Sequence, residues 1–359
     1  MDMKPPSIKD IAQALGISIG TVDRALHGRS DVSPATRARV LKKAEQLGYR
    51  PNLAARSLKL NRRIRIGIYF PRDIASFFDP LRAGVRAAAP ASTGVNVEIV
   101  FRTFPRLDEG DVELLTADAG EKFDGILVAP GNPDHIGPTL SMLARKGVAI
   151  VCVASDAPRS ERLASVTADA HASGAIAAEL FSRTIKQAGH LATITGELTT
   201  LDHSEKLRGF AANLAVFAPH LSLLPVIESF EQPKVAYRQT TALLSRKPYP
   251  LGIYVSTANS IPVLRALEEK KLLGEVQVIA TDLFSELVPY IESGKILATL
   301  YQRPFAQGKT ALELLLRFLL NGVTPEPATR LAPHIILRSN LGLFTGYLAE
   351  ADDSTSSGN

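Results

Sequence analysis

The chain has 359 residues, 45% hydrophobic and 21% charged, with a net charge of +5 and one cysteine. That length predicts two or three domains with sizeable cores, and the composition excludes a wholly disordered chain. A lone thiol, Cys152, excludes an internal disulfide, and no apolar run reaches the length of a membrane span.

The charge is unevenly placed. Residues 1–63 hold 13 lysines and arginines against five acids, a net +8, so the other 296 residues carry −3. Such a basic module predicts contact with nucleic acid or an anionic surface; the plainer alternative is a solvated basic face. The first residues, "MDMKPPSIKD", are polar and lack a signal-peptide run, which predicts a cytoplasmic protein. Cys152 falls inside the apolar run "VAIVCVA", as expected of a buried thiol in a reducing compartment.

In chain order, Ser7 with Asp10 predicts a capping box opening a helix on which Ile8, Ile11, Ala12 and Leu15 share a face, stopped by Gly16. Ser18 caps a second helix with Val22, Ala25 and Leu26 on one side. Ser33-Pro34 opens a third, with Val40, Leu41, Ala44 and Leu47 as its apolar face and Gly48 at its end. A small Ala12, a tight turn at Gly16 and a packed Val22 suit a helix-turn-helix that projects its second helix into a major groove. An ordinary three-helix bundle would need the same core but not the basic exterior. Beyond Pro51, Leu53 to Leu60 could form about two helical turns, too few to be stable alone. That segment is expected to be either a hinge that orders on DNA or a plain linker.

The stretch "SIKDIAQALGISIGTVDRALHGRSDVSPATRARVLKKAEQLGYRPNLAARSL" closely resembles the headpiece and hinge of the LacI/GalR family of bacterial transcription repressors, without a gap from Ser7 to Leu58. The resemblance implies DNA binding by Ser18, Ile19, Gly20, Thr21, Asp23, Arg24 and His27, and by Asn52, Ala55 and Leu58 of the hinge. The family's base-contacting pair falls on Ile19 and Gly20, which limits direct readout there to apolar contact. Arg24 is left as the candidate for bidentate guanine contact, and Thr21 falls on a phosphate-contacting position. His27 stands where the family often has asparagine. Asn52 would contact the backbone or minor groove, and Leu58 would be the wedge that kinks the operator. Asp23 replaces a usual serine; its carboxylate could accept from a cytosine amine or pair with His27.

From Arg63 the period changes. "RIRIGIYF", "VNVEIVF", "FDGILVA", "VAIVCVA", "LASVTA", "LATITG", "LGIYVS", "VQVIAT" and "ILATLY" are short β-rich runs separated by helical segments. This alternation predicts parallel sheets covered on both faces, in two similar α/β subdomains with a ligand cleft between them. The family resemblance implies a periplasmic-binding-protein type I architecture with chain crossings near residues 160, 295 and 325. The expected plan is a headpiece over 1–50, a hinge over 51–63, a core over 64–345 and a disordered tail over 346–359. Within the core, 64–160 pairs with 296–325, and 161–295 with 326–345.

Strand-end loops supply the candidate ligand contacts: Phe77, Phe78 and Asp79, then Asn132, Asp156, Arg162, Lys206, Asn259 (or Ser256), Asp282 and Gln302. Asp156, Asp282 and Gln302 match family cleft positions. The family's ligand-binding arginine falls on Lys206, a weaker fork. Carboxylates and amides converging on one cleft suit a sugar or cyclitol; a sugar acid remains open through Lys206 and Arg162. The expected partners are double-stranded operator DNA, a small-molecule effector and a second copy of the chain, meeting through helices such as "PLRAGVRAAA". No cofactor, metal or membrane partner is expected. No Walker A, G-x-S-x-G, H-E-x-x-H or G-x-G-x-x-G pattern is present. The expectation is therefore a ligand-responsive transcription regulator, by family default a repressor, rather than an enzyme. A glycoside-acting enzyme is the remote alternative. A stand-alone sugar-binding protein would not explain the basic headpiece.

Overall fold

The computed structural model describes residues 7–26, 32–47, 63–89 and 96–344. His27, Gly48, the expected hinge with Asn52, Ala55 and Leu58, and the expected tail lie outside the described residues. The chain divides into two compact units, one within residues 1–61 and one built on the α/β elements that follow.

The first unit has three helices: α1 (Ile8–Leu15), α2 (Ile19–Leu26) and α3 (Pro34–Gln46). The Asp10 carboxylate accepts from the Ser7 backbone N–H at 2.6 Å and from its hydroxyl at 2.7 Å, opening α1. Gly16 closes it with φ 63°, a left-handed turn that costs glycine little. Ser18 Oγ accepts from Thr21 N at 3.1 Å, and Ser33 Oγ from Thr36 N at 3.3 Å, so both expected caps form. Ile11, Ala12, Val22, Ala25, Val40 and Ala44 make the core. Leu41 and Leu47, expected on the apolar face of α3, are instead 46% and 36% exposed. The buried stripe of that helix is only Val40 and Ala44 wide, and Leu41 lies about 100° round from Val40.

The second unit holds two sheets. The first contains β1 (Arg63–Pro71), β2 (Asn96–Phe104), β3 (Gly125–Val128), β4 (Ala149–Val153), β5 (Ala164–Ala168) and β12 (Ala328–Leu331), in the order β12-β5-β4-β3-β1-β2 and all parallel. The second contains β6 (Gly189–Thr195), β7 (Leu221–Leu223), β9 (Gly252–Val255), β10 (Gln277–Thr281), β11 (Ala298–Tyr301) and β13 (His334–Ile336), in the order β13-β11-β10-β9-β6-β7. A short β8 (Ile227–Glu228) also pairs with β6, and only β13 runs antiparallel to its neighbour. Helices cover both sheets: α4 (Ala75–Ala88), α5 (Asp111–Ala117), α6 (Pro133–Arg145), α7 (Ala170–Thr184), α8 (Leu201–Phe217), α9 (Pro233–Leu243), α10 (Ser260–Glu269), α11 (Val288–Glu292) and α12 (Pro304–Asn321). Cys152 is fully buried in β4, where burial pushes its thiol up to about 12. Among the described residues no helix is long and apolar enough to cross a membrane.

The crossings differ from those expected near 160, 295 and 325. Val151 of β4 pairs with Ala164 of β5, so the chain stays in the first sheet until Ala168. Ala298–Tyr301 still pairs within the second sheet, and the chain returns only at Gln302 and Arg303. Helix α12 then packs on the first sheet, its Leu315 against Gly125 and its backbone at Phe305 against Gly84 of α4. Strand β12 pairs with β5, so the third crossing falls at residues 332 and 333. Only the third boundary was moved by edge strands, β12 and β13, whose short runs leave little local pattern. Helix α4, expected as a dimer face, buries Leu81, Gly84 and Val85 inside its own subdomain and leaves Arg86 and Ala87 exposed.

Candidate functional site

The cleft opens at the carboxyl ends of the strands, where the two subdomains face each other. It is lined by Ile74, Phe77 and Phe78 from the first subdomain and by Asp202, His203 and Lys206 from the second. Ser155, Thr200, Glu231, Thr257, Asp282 and Gln302 add the remaining polar wall. An apolar side facing convergent polar groups suits a small-molecule ligand.

Helix α8 delivers three of these groups from its first turns. Asp202 and Lys206 stand four residues apart, on one helix face. Lys206 is only 1% exposed, and its Nζ donates to Asp202 Oδ2 at 2.6 Å and to Ser256 O at 3.3 Å. Between them, His203 points Nε2 at Glu231 Oε1, 3.1 Å away, while its Nδ1 lies 3.1 Å from both the amide nitrogen and the carbonyl of Glu197. Thr257 donates to the same Glu231 carboxylate at 2.6 and 2.8 Å. Burial opposes the charge on His203, but the hydrogen bond and charge of Glu231 outweigh it, and the imidazole is held above its ordinary pKa. Burial likewise opposes the Glu231 carboxylate, yet His203 and Thr257 hold it below the usual value. Gly196 makes this pair possible: a Cβ there would collide with Glu231 Oε1 and His203 Cε1.

Asp282 sits just past β10 and Gln302 just past β11. Asp282 Oδ1 accepts from Gln302 N at 3.1 Å and Oδ2 from Gln302 Nε2 at 2.7 Å. Burial pushes Asp282 up to about 6, against the pull of Lys206 and Gln302. Ile74, Ala154 and Asp282, all lining the cleft, adopt positive φ of 60°, 67° and 66°. Backbone strain of this kind persists where surrounding structure holds a site in place. Ser155 Oγ, Thr200 Oγ1 and Asp202 Oδ1 are buried without a hydrogen-bond partner among the described residues.

Of the ten ligand candidates, Phe77, Phe78, Lys206, Asp282 and Gln302 meet in this cleft. The other five lie elsewhere. Asp79 is tied to Arg82 at 2.7 Å. Asn132 caps α6, accepting from Asp134 N at 3.1 Å. Asp156 and Arg162 bind each other through two hydrogen bonds, one of 2.7 Å, with Ser165 Oγ on the same carboxylate at 2.9 Å. Asp156 lines a neighbouring depression that shares Ala154, Ser155 and Asp202 with the cleft. Asn259 stands at the N-terminus of α10, away from the cleft lining, whereas its neighbours Thr257 and Ala258 reach it. Sequence reasoning missed Asp202, His203, Glu231 and Thr257. The spacing of Asp202 and Lys206 was a readable signal, but nothing local marks Glu231. Among the described residues no cluster of three or more His, Cys, Asp or Glu could hold a metal ion.

On the first unit, Ser18, Ile19 and Gly20 form the exposed start of α2, and Ile19 is 48% exposed. Thr21, Asp23 and Arg24 are half-buried beside them, with Thr21 Oγ1 2.8 Å from Ser18 Oγ. An added Cβ at Gly20 would stand 3.4 Å from Arg24 Nη1, so the guanidinium lies back along the helix over the space that glycine leaves.

A helix-turn-helix unit followed in the chain by a two-subdomain core with a polar cleft is the plan of a DNA-binding transcription regulator. Residues 66–322 match the family model of a periplasmic binding protein domain, and residues 7–52 match that of the bacterial regulatory proteins of the lacI family. The chain belongs to the lacI family of bacterial regulators, with a periplasmic-binding-protein core. It is 25% identical over 341 residues to catabolite control protein A of Priestia megaterium, covering 92% of this chain and 97% of that protein. It is 27% identical over 352 residues to the HTH-type transcriptional repressor PurR of Aliivibrio fischeri, covering 93% and 98%. The core also shares its fold with the Caulobacter myo-inositol binding protein, at a TM-score of 0.71 and 22% identity, over 80% of this chain and 97% of that one.

Proposed function

We propose that this regulator is a repressor that binds a pseudo-palindromic operator as a homodimer and answers to a small sugar or cyclitol held in the cleft. The observation that carries the reading is the Asp282–Gln302 contact. Gln302 lies in the segment that leaves the second sheet at β11 and enters the first subdomain at α12, and its side chain faces the cleft. A ligand that hydrogen-bonds Asp282 or Gln302 therefore acts on a crossing between subdomains and changes the angle between them. By linkage, ligand and operator alter each other's affinity by the same factor. One headpiece reads few bases, and two-fold pairing of headpieces is the economical way to read more.

The donor set favours a polyhydroxylated ligand over a sugar acid. Lys206 and Arg162, the cations that could neutralise an acid, already hold Asp202 and Asp156. Unpartnered hydroxyls and carboxylate oxygens are matched by sugar hydroxyls, and Phe77 and Phe78 supply an apolar wall. A thermal-shift screen of the full chain against sugars, cyclitols and sugar acids tests this. A ligand at 100 times its Kd stabilises by about 2.7 kcal/mol. A hit that also shifts operator binding in a gel supports the reading. A hit restricted to acids, or one with no effect on operator binding, counts against it.

A further inference from the structure

Resting on that cleft reading, we propose that the ligand carries a positive charge: a sugar with a free amino group. The cleft presents three carboxylates, Asp202, Glu231 and Asp282, against one ammonium, Lys206, and one imidazole, His203. Two of the carboxylates have a cation of their own, Asp202 at 2.6 Å from Lys206 and Glu231 at 3.1 Å from His203. Asp282 has none. Its hydrogen bonds come from the backbone and side-chain amides of Gln302, both neutral donors, and the cation that acts on it is the Lys206 already bonded to Asp202.

A buried carboxylate without its own counter-charge is unfavourable, and a ligand that brings the missing charge gains what a neutral one cannot. Two more observations point to a donor-rich group. Asp202 Oδ1 is buried with no hydrogen-bond partner among the described residues, so Asp202 has an acceptor left after holding Lys206. Ser155 Oγ and Thr200 Oγ1, 3% and 1% exposed as residues, are likewise unpartnered in the same wall. An ammonium offers three N–H donors and a unit charge to Asp282 and Asp202, and charge-assisted bonds are roughly twice as strong as neutral ones. The remaining sugar hydroxyls suit Ser155, Thr200 and Gln302, and Phe77 and Phe78 add π-rich surface that tolerates a cation.

Titration calorimetry on the full chain at pH 7 tests this with glucosamine, galactosamine and mannosamine, each against its parent sugar and its N-acetyl derivative, with myo-inositol added. The expected result is one amine that binds at least tenfold tighter than both its parent and its N-acetyl form, with that ratio falling to near one in Asp282→Asn. If a melting curve shows that variant unfolded, Asp202→Asn takes its place, with the same expected loss of preference. A parent sugar or myo-inositol that binds as tightly as every amine overturns the charge inference and leaves the cleft reading standing. An amine preference that survives the substitution also overturns it. No binding by any of these compounds overturns the inference and the sugar reading together.

Discussion

The two recognition surfaces of this protein are built on opposite plans. The recognition helix presents Ser18, Ile19 and Gly20 from one short exposed turn, and its support is a core of six buried residues, three of them alanine. The cleft gathers Phe77, His203, Lys206, Glu231, Asp282 and Gln302 from five places along the chain, all of them buried and most of them hydrogen-bonded to one another. Reading DNA needs side chains that reach outward, so apart from the Ser18 cap the fold depends little on them. Enclosing a small polar ligand needs groups preorganised inside, so recognition and stability share the same residues. The second unit should therefore lose much stability when its site is mutated, and the first little beyond the cost of its Ser18 cap.

The largest effect is expected from Lys206→Met. It leaves Asp202 buried without its cation, and breaking such a pair costs about 3–5 kcal/mol. Calorimetric melting of the full chain should show the core destabilised by that amount. A cost below about 1 kcal/mol would mean that Asp202 is solvated and that the cleft network is not structural. Next comes Ile11→Ala, which cuts a fully buried side chain from the small helical core, at about 2–5 kcal/mol. Operator binding should disappear while ligand binding by calorimetry is unchanged. Loss of both would show that the two units do not fold independently.

A further test uses protons. Burial raises Asp282 from 3.8 to about 6, so folding favours its protonated form between those values. The stability this brings is fully present below about pH 4 and is lost as pH rises through 6, on the order of 3 kcal/mol in all. Asp282→Asn cannot titrate, so the melting temperature of the wild type should rise relative to that of the variant as pH falls from 7 to 4.5. Parallel curves would place Asp282 in water. No such pH effect is expected from substitutions on α2.

The same contrast decides what could be read before the fold was known. All nine β-rich runs from "RIRIGIYF" to "ILATLY" form strands, since two-sided burial forces a continuous apolar run in all but β2, a partly buried edge strand. The strands that escaped notice, β7, β8, β12 and β13, have two to four residues and partly exposed patterns. They exist by pairing with a neighbour, which a local pattern does not record, and the third crossing, between β12 and β13, was misplaced for the same reason. In the headpiece Ser7, Ser18 and Ser33 cap where their spacing implied, since caps are local. In the cleft, Asp156 and Asn132 look like ligand groups in sequence but are taken by Arg162 and by the end of α6. Glu231 looks like nothing in sequence and owes its place to His203, Thr257 and the missing side chain of Gly196.

The smallest effect on the fold, and the sharpest on recognition, belongs to Arg24. Its guanidinium lies over Gly20, one turn back on the exposed face of α2, so the glycine that offers no base contact of its own provides the room in which the arginine rests. Arg24 is half-buried, so Arg24→Ala should cost about 1 kcal/mol of stability, the ordinary cost of a point mutation. It should cost about 1–3 kcal/mol of operator affinity at one base pair per half-site, with relaxed specificity there. Gly20→Gln separates reading from room. A long side chain at that position shares the exposed face with the guanidinium, which lies in contact distance of an added Cβ, so this variant should shift base preference at the position Arg24 reads without removing the charge. Binding to a panel of single-base operator variants distinguishes the cases. Equal weakening across the whole panel in Arg24→Ala would make this arginine a phosphate contact, and the recognition helix would then read its operator through Ile19 and Asp23.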